Sequence, residues 1–238
     1  MAEDPTPPTE ISLTPNLPEM TEAELRELAQ QLAKPEGERG QQVAETMNES
    51  NHGMTMATLR SLNVIDNDNI LEIGFGNGDH VPEILEAARG LQYAGLDISE
   101  TMLHEATARN AQLIDSGTAT FHLGDGTTID LPSNSFQRVF TVNTIYFWDD
   151  RPSYLQQIEH VMAPGATLAI AYVRSDFMKT LPFTQWGFTF TDDADIEELA
   201  QQTSLSLLGI DHLTHDVYDK TGTPQSRPFS IARLAKAS

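Results

Sequence analysis

The sequence predicts an α/β fold: a doubly wound, seven-stranded, mostly parallel sheet with an antiparallel edge strand and helices on both faces. Three observations support this prediction. Five short apolar segments alternate with helical segments from residue 69 onward, which is typical of parallel strands joined by helical crossovers. A glycine-rich stretch directly follows the first strand. Two long β-like segments, with turn residues but no helix between them, close the chain, so we expect an antiparallel strand at one edge.

The first 66 residues are predicted to lie outside this alternating region. Residues 1–20 contain five prolines among Thr, Glu and Asp, a composition typical of a disordered acidic tail. Residues 21–66 are predicted to form an N-terminal helical cap, because apolar residues there recur at helical spacing after the capping sequence at Thr21. Residues 67–238 then form the main domain. Within the cap, helices are predicted at 21–34, 43–47 and 54–62.

The elements of the main domain follow from apolar periodicity and from capping residues. Strands are rich in Val, Ile, Leu, Phe and Thr, and helices are expected to begin at Ser99 and Asp150. The predicted strands cover 70–73, 91–96, 118–123, 137–144, 167–173, 205–218 and 226–234. The predicted helices cover 81–88, 99–109, 150–163 and 193–202.

Composition excludes several classes of function. The formal net charge is −21 and the sequence pI is near 4.4, so the chain lacks the cationic surface of nucleic-acid binders and of proteins that bind anionic membranes. Cysteine is absent, which excludes disulfides, thiolate catalysis and cysteine-based metal sites. No basic region precedes an apolar one at the N-terminus, and no stretch approaches about 20 apolar residues. We therefore expect a cytoplasmic protein with neither nucleic-acid nor membrane partners.

The glycine-rich stretch is the most informative motif. Residues 72–78 read Glu-Ile-Gly-Phe-Gly-Asn-Gly, and such glycines let a backbone turn sharply from strand to helix close to a ligand. A dinucleotide site would place its third glycine at position 79. That position is Asp79, which would repel a pyrophosphate, and no Lys or Arg stands nearby. A ligand with an adenosine but no phosphate fits this loop better, which weighs against a nucleotide-dependent oxidoreductase of Rossmann type.

This E-x-G-x-G-x-G spacing resembles the first motif of the class I S-adenosylmethionine-dependent methyltransferases. Four further segments resemble the same family in the expected order: the acid after the second strand, a Gly-Asp-Gly turn, a Leu-Pro run and a Pro-Gly turn. These lie at 97, 124–126, 131–139 and 164–165. The resemblance covers about residues 40–235. It implies a Rossmann-like fold that binds S-adenosylmethionine. Within the family, the sequence is most similar to the small-molecule branch, which includes methyltransferase type 11 and the quinone- and sterol-methylating enzymes.

The resemblance also implies roles for individual residues. Asp97 would hold the two ribose hydroxyls, Asp125 would face the adenine amine, and Asn143 would lie near the sulfonium methyl group. The glycines would lie against the methionine part of the cofactor. Two alternatives stay open: Asp125 only stabilises its own turn, and Met102 is ordinary helix packing. The full predicted cofactor-binding set is Glu72, Gly74, Gly76, Gly78, Asp97, Ile98, Met102, Asp125, Gly126 and Asn143.

Two residues are predicted as catalytic groups. His52 lies in the segment 48–56, which closes over the cofactor in the resembling branch, and an imidazole suits proton abstraction near neutral pH. Tyr146 ends the run Asn-Thr-Ile-Tyr, where nucleobase-methylating relatives carry N-P-P-Y, but both prolines are absent. The alternative for His52 is an exposed turn residue. Aromatic residues after the fourth and fifth strands are predicted to line an apolar acceptor pocket or to pack in the core: Tyr146, Phe147, Trp148, Phe183, Trp186, Phe188 and Phe190.

Two histidine-containing segments are not expected to carry chemistry. His212 and His215 are three residues apart on a predicted strand, so they point to opposite faces and no metal site is expected. His80, after the glycine loop, is expected at the helix surface.

The predicted activity is transfer of a methyl group from S-adenosylmethionine to a small, partly apolar acceptor by in-line displacement. Two alternatives stay open beside it: a non-catalytic S-adenosylmethionine-binding protein and the oxidoreductase considered above. The sequence leaves open the acceptor, whether carbon, nitrogen or oxygen is methylated, and the oligomeric state.

The charge composition makes a prediction about salt. Only four of the fourteen basic residues are Lys, and a net charge of −21 repels itself in the compact state unless salt screens it. The unfolding midpoint should therefore be higher in molar KCl than in dilute buffer, as thermal melts followed by circular dichroism can measure. Equal midpoints in the two solutions would contradict an adaptation to salt.

Overall fold

The computed structural model describes residues 20–218 and 224–238, so the predicted tail lies, except for Met20, outside the described residues. The centre of the structure is a seven-stranded sheet of order β3-β2-β1-β4-β5-β7-β6. Strands β1 to β5 pair in parallel, and β7 is antiparallel to both β5 and β6. The strands are β1 Asn69–Ile73, β2 Gln92–Asp97, β3 Ala119–Leu123, β4 Phe136–Val142, β5 Met162–Val173, β6 Ser206–Tyr218 and β7 Pro224–Ala235.

The predicted fold class is confirmed, with the antiparallel pairing at the predicted end of the sheet. The last strand of the chain, β7, lies between β5 and β6, so β6 forms the outer edge. The eight α-helices described are α1 Glu22–Ala33, α2 Gly37–Ser61, α3 Val81–Leu85, α4 Glu100–Arg109, α5 Ala111–Asp115, α6 Arg151–Val161, α7 Ser175–Met178 and α8 Asp193–Gln201.

Three helices begin at the capping residues that the sequence predicts. Thr21 and Glu24 form a reciprocal capping box at α1, Ser99 accepts a hydrogen bond from the Met102 amide at α4, and Asp150 accepts one from the Ser153 amide at α6. Each cap satisfies backbone donors that the first helical turn leaves without partners.

The predicted break within the second helix is wrong: α2 is one continuous helix of 25 residues. The polar run 48–52 and Gly53 indicated a break, but both halves of the helix bury residues against the domain, including Val43 and Leu59. Gly53 serves packing, because a Cβ there would lie 2.3 Å from the His215 ring. The middle of α2 has residues with low helix propensity. The helix is continuous because both of its halves pack against the domain.

A second difference concerns the Pro-Gly turn at 164–165. The sequence predicts that this turn separates α6 from a strand that begins at residue 167. In the structure, β5 already begins at Met162, directly after α6 ends at Val161. Its pairing with β4 is irregular there, with a shift between Phe136 and Arg138. An irregular strand start accommodates a proline that a regular ladder would not.

The hydrophobic core continues from the sheet into the N-terminal helices. Ile70 and Leu71 in β1 are fully buried, and Leu28 in α1 and Val43 in α2 belong to the same apolar cluster. The division into a cap at 21–66 and a domain at 67–238 stays a prediction. Among the helices of the described residues, none has both the length and the apolar character needed to cross a membrane.

Strand order determines where a ligand can bind. β1 lies between β2 and β4, so the connections that leave its carboxyl end and that of β4 turn to opposite sides of the sheet. In open α/β sheets this switch point creates a crevice at the carboxyl edge of the strands. The glycine loop after β1 and Asn143 after β4 both lie at this edge.

Gly95 in β2 provides a test of the packing beneath this edge. A Cβ at this position would lie 2.6 Å from the Phe75 ring and 3.1 Å from the Phe121 ring. Gly95→Ala should therefore lower the free energy of unfolding by about 1–3 kcal/mol, measured in urea, because overpacking forces neighbouring rings to shift. In a Phe75→Leu background the same Gly95→Ala change should lower the free energy of unfolding by less, because the smaller side chain leaves room for the Cβ. An equal loss in both backgrounds would contradict the steric cause.

Candidate functional site

A cavity of about 610 Å³ opens at the carboxyl ends of β1, β2 and β4. Its walls come from the loops that follow these strands, from the end of α1 and from one side of α2. A volume of this size suits a cofactor-sized ligand. The cavity therefore lies at the switch point of the sheet.

The cavity wall is rich in carboxylates, with His52 and His80 beside them. Five carboxylates line it and, within the described residues, no Lys or Arg does. The lining carboxylates are Glu45, Glu49, Glu72, Asp79 and Asp97. A wall of this charge favours a cationic ligand and opposes a phosphate.

Arg109 of α4 neutralises part of this charge from outside the cavity. It forms ion pairs with Glu45 and, at 3.2 Å, with Asp79. Glu49, Glu72 and Asp97 have no Lys or Arg partner in the described part of the chain. The negative potential is therefore concentrated along α2 and at the ends of β1 and β2.

Asp97 ends β2 inside the cavity. Its Oδ2 accepts a hydrogen bond from the Gly76 amide at 3.0 Å, and its Oδ1 accepts one from the Ser99 amide at 2.9 Å. Burial raises the pKa of Asp97 to about 6, with the nearby charge of Glu72 acting in the same direction and the two amides opposing it. A carboxylate held in this way still has free lone pairs to offer hydroxyl groups of a ligand.

The three glycines of the loop have different roles. All three have a positive φ, which favours glycine, but only Gly76 has open space where a Cβ would stand. A Cβ at Gly74 would lie 2.3 Å from Thr144, and one at Gly78 would lie 2.9 Å from Ala106. Gly74 and Gly76 line the cavity, whereas Gly78 serves the packing of the loop on α4.

Two side chains, Tyr93 and His80, hold the carboxylate of Glu72, and the sequence did not predict either contact. Its carboxylate accepts hydrogen bonds from Tyr93 Oη at 2.7 Å and from His80 Nε2 at 2.8 Å. Burial lowers the pKa of His80, but the charge and hydrogen bond of Glu72 outweigh it, so the net pKa is raised. His80 is therefore not a helix-surface residue, as expected from sequence, but the ion-pair partner of Glu72.

Asn77 carries a buried donor without a protein partner. Its side chain is 1% exposed and lines the cavity, and its Oδ1 accepts a hydrogen bond from Asn48 Nδ2 at 2.7 Å. Its Nδ2 has no hydrogen-bond partner among the described residues. Because buried donors are rarely left unsatisfied, this amide is a ready group for a ligand carboxylate.

The residues predicted around the adenine are only partly brought together. Ile98, Met102 and Gly126 line the cavity, but Asp125 does not. The Asp125 side chain is exposed and accepts hydrogen bonds from the amides of Thr127 and Thr128, which lower its pKa. These contacts match the alternative that Asp125 stabilises its own turn.

Tyr146 lies behind the cavity wall rather than in it. Its side chain is 3% exposed and does not line the cavity. The hydroxyl accepts a hydrogen bond from the Val173 amide at 2.5 Å and donates one to Asn143 Oδ1 at 2.9 Å. Burial also raises the pKa of Tyr146 well above its ordinary value, so the geometry opposes the predicted role as a proton-transfer group.

His52 and Asn143 do line the cavity. Asn143 follows β4 with a φ of +60°, a conformation that directs its side chain away from the strand ladder. His52 lies on α2 with its side chain half exposed, and its Nε2 is 2.7 Å from Glu83 Oε2. The Glu83 carboxylate can orient the imidazole ring, and the role of His52 as a general base stays a prediction.

The aromatic residues divide between the cavity and the core. Phe147 and Trp148 line the cavity, joined by Tyr154 from α6. Phe188 packs instead beneath the wall against Phe147, with ring centroids 4.7 Å apart. The remaining predicted aromatics do not line the cavity and pack against the core: Phe183, Trp186 and Phe190.

Comparison with known proteins finds a methyltransferase domain in this chain. Residues 70–165 match the family model of a methyltransferase domain. The chain is 30% identical over 124 residues to the uncharacterised methyltransferase YdaC of Bacillus subtilis, a match that covers 50% of this chain and 64% of the relative. It is 28% identical over 127 residues to the O-methyltransferase resE of Aspergillus sclerotiorum, covering 53% of this chain and 48% of the relative.

The fold is similar to that of solved methyltransferases. One solved structure, the complex of the Haloferax volcanii Trm112 methyltransferase activator with a methyltransferase, matches with a TM-score of 0.72 and covers 90% of this chain and 99% of that chain. Its sequence identity is 17%, so this likeness concerns the fold. The domain match and the fold together support a class I S-adenosylmethionine-dependent methyltransferase.

The match to the curated relatives is partial in length. The chain spans between about half and two thirds of the relatives named above, 48% and 64%. The segment that matches the methyltransferase family model, residues 70–165, includes the ends of β1 and β2 at the cavity.

The residues present fit S-adenosylmethionine. The open space at Gly76 and the unpartnered Asn77 amide suit its methionine end, the Asp97 carboxylate suits a ribose diol, and the acidic wall suits a sulfonium cation. These assignments of individual methyltransferase residues stay predictions.

Cofactor affinity should depend on the ionisation of Asp97. Above pH 6 its carboxylate is charged and accepts hydrogen bonds from the ribose hydroxyls. Below that pH it is protonated and loses acceptor capacity, so affinity should fall as the pH drops, approaching a tenfold loss per pH unit. Calorimetric titration with S-adenosylhomocysteine measures this. Asp97→Asn should bind weakly at every pH; a variant that keeps the wild-type pH profile would assign the titration to another group.

Proposed function

We propose that this protein transfers a methyl group from S-adenosylmethionine to a small, partly apolar acceptor. The observation that carries the proposal is the acidic wall of the cavity, with five carboxylates and no Lys or Arg among the described residues that line it. A sulfonium is among the few cofactor groups that such a wall favours. When bound, S-adenosylmethionine supplies an activated methyl group, so the protein contributes mainly position and exclusion of water.

The proposed roles of the chain's own residues follow from their places. Asp97 binds the ribose, Gly76 allows close approach of the backbone, and Asn77 Nδ2 donates to the methionine carboxylate. His52, with Glu83 beside it, accepts the proton that leaves a hydroxyl acceptor as the new carbon–oxygen bond forms. Phe147 and Trp148 provide apolar surface that excludes water from the acceptor.

Oxygen is the proposed methyl-accepting atom. The fungal relative described above is named as an O-methyltransferase, which supports this choice. A cytoplasmic location is part of the proposal and agrees with the absence of cysteine.

Two other functions make different predictions. A nucleotide-dependent oxidoreductase would need cationic groups for the phosphates, and within the described ranges no Lys or Arg lines the cavity. A non-catalytic binding protein would keep Asp97 and Gly76 but would not transfer the methyl group. Binding and transfer must therefore be measured separately.

Isothermal titration with S-adenosylmethionine, S-adenosylhomocysteine and NADH tests the binding part. We expect both adenosyl ligands to bind, NADH not to bind, and Asp97→Ala to lose most of the affinity. Gln42→Glu, on the exposed side of α2, should bind as the wild type does. Binding of NADH alone would contradict the proposal.

Methyl transfer is measured with a tritiated methyl donor and a panel of small phenols, alcohols and amines. We expect label in an oxygen-methylated product and a rate about 10²-fold lower for His52→Gln at unchanged cofactor affinity. Cofactor binding without transfer to any panel member would favour the non-catalytic alternative.

A further inference from the structure

Four side chains form a continuous hydrogen-bonded relay behind the end of β4. We call it the amide relay; it consists of Tyr146, Asn143, Asn51 and Arg227. It connects the end of β4 and strand β7 with the middle of α2. Only its two asparagines line the cavity.

The donors and acceptors of the relay can be assigned from one end. The Val173 amide donates to Tyr146 Oη at 2.5 Å, and a backbone amide can only donate. Tyr146 Oη lies 2.9 Å from Asn143 Oδ1 and donates its proton there. The Asn143 amide is thereby oriented, because its oxygen faces a hydroxyl donor and its nitrogen faces the next residue.

The other end assigns the same direction independently. Arg227 donates to Asn51 Oδ1 at 3.1 Å, and a guanidinium can only donate. Asn143 Nδ2 donates to the same oxygen, also at 3.1 Å. If the Asn51 amide were rotated by 180°, its nitrogen would face two donors at once, so both neighbours fix its oxygen where it stands.

The consequence is that Asn51 presents its nitrogen with both N–H groups. No described residue accepts a hydrogen bond from Asn51 Nδ2, and the residue lies in the cavity wall beside Asn143 and His52. The nitrogen of an amide held in this way can only donate hydrogen bonds to a ligand. It therefore suits a group that accepts a hydrogen bond, such as a hydroxyl or phenolate oxygen, and disfavours an ammonium group.

Arg227 adds a charge to this arrangement. The side chain is 7% exposed, and no carboxylate of the described residues pairs with it; it also donates to the Ser50 carbonyl of α2. A buried guanidinium without a counter-charge is costly and favours negative charge on a nearby ligand oxygen. Its field thus supports the deprotonated form of an oxygen that approaches Asn51.

We propose that Asn51 is the specificity-determining residue for the acceptor and that Arg227 is the positioning residue that holds its amide. The acceptor class is a hydroxylated, most simply phenolic, compound whose oxygen takes a hydrogen bond from Asn51 Nδ2. This inference rests on the proposed methyl transfer and names the acceptor class for it. Protonated amines are disfavoured at the same place by the donor Asn51 Nδ2 and by the positive charge of Arg227 behind it.

The first experiment uses phenol and toluene as probes and does not require turnover. In ¹⁵N-labelled protein loaded with S-adenosylhomocysteine, the side-chain amide signals of Asn51 are assigned as the pair missing from Asn51→Asp. Phenol should shift this pair, and toluene at the same concentration should leave it in place. An unchanged pair in phenol, or equal shifts with both probes, would overturn the proposal.

The second experiment separates the positioning role from a structural one. Arg227→Met should abolish the response of the Asn51 pair to phenol, whereas Arg227→Lys, which keeps the donor and the charge, should restore it. Should Arg227→Met fail to fold, Arg227→Gln takes its place, and Asn51→Asp tests the donor role of Asn51 separately. It keeps the oxygen that Arg227 and Asn143 use, and it should weaken phenol binding about tenfold, the value of one hydrogen bond.

Gln42→Glu is the matched control, since it makes the same amide-to-carboxylate change on the exposed side of α2. It should bind phenol as the wild type does. An Arg227→Met protein that still responds like the wild type, or an Asn51→Asp protein with unchanged phenol affinity, would overturn the assigned roles.

Failure of this inference can be distinguished from failure of the proposed function. If S-adenosylhomocysteine does not bind, the proposed function fails. The phenol titration is then run on the unloaded protein, where phenol should still shift the Asn51 side-chain signals. If the cofactor binds and phenol does not move the Asn51 signals, only the acceptor assignment fails.

Discussion

The carboxylate of Asp97, held between the backbone amides of Gly76 and Ser99, is the interaction on which the site depends. It joins the end of β2 to the glycine loop after β1 and to the start of α4. Ser99 in turn donates to the carbonyl of Pro35, between α1 and α2. One buried charge thus connects the loop, the sheet edge and the N-terminal helices. Its burial raises its pKa, and the amides limit that rise by favouring the charged form.

The charge of the cavity has a different origin from the charge of the whole chain. The net charge of the chain is −21, and most carboxylates of the described residues are exposed, where salt screens their charge. Glu72 and Asp97 are buried, and each is held by specific donors. A cationic ligand would relieve the mutual repulsion of these two groups, which links cofactor choice to the fold. Arg227, buried against the middle of α2, carries the opposite charge.

Local patterns in the sequence predicted the strands, the capping residues and the position of the glycine loop, because each depends on neighbouring residues. The insertion of β7 between β5 and β6 depends on pairing between distant segments, which periodicity does not encode. The continuous helix α2 was missed because Gly53 indicates a break unless the His215 ring is known to pack there. Asp97 was predicted at the site from motif order, but Arg227 was not, since its contacts with α2 join residues 176 and 177 positions apart. Asp125 is the opposite case, because its position matches a motif while its contacts in the structure belong to a turn.

The central claim is that the glycine loop and Asp97 hold an adenosyl cofactor in the acidic cavity. A crystal structure of the protein with S-adenosylhomocysteine tests it most directly. The claim predicts both ribose hydroxyls within hydrogen-bond distance of the Asp97 carboxylate and the amino-acid end over Gly76 and Asn77. A nucleoside bound elsewhere, or bound in the cavity with Asp97 contacting no part of it, would contradict the claim.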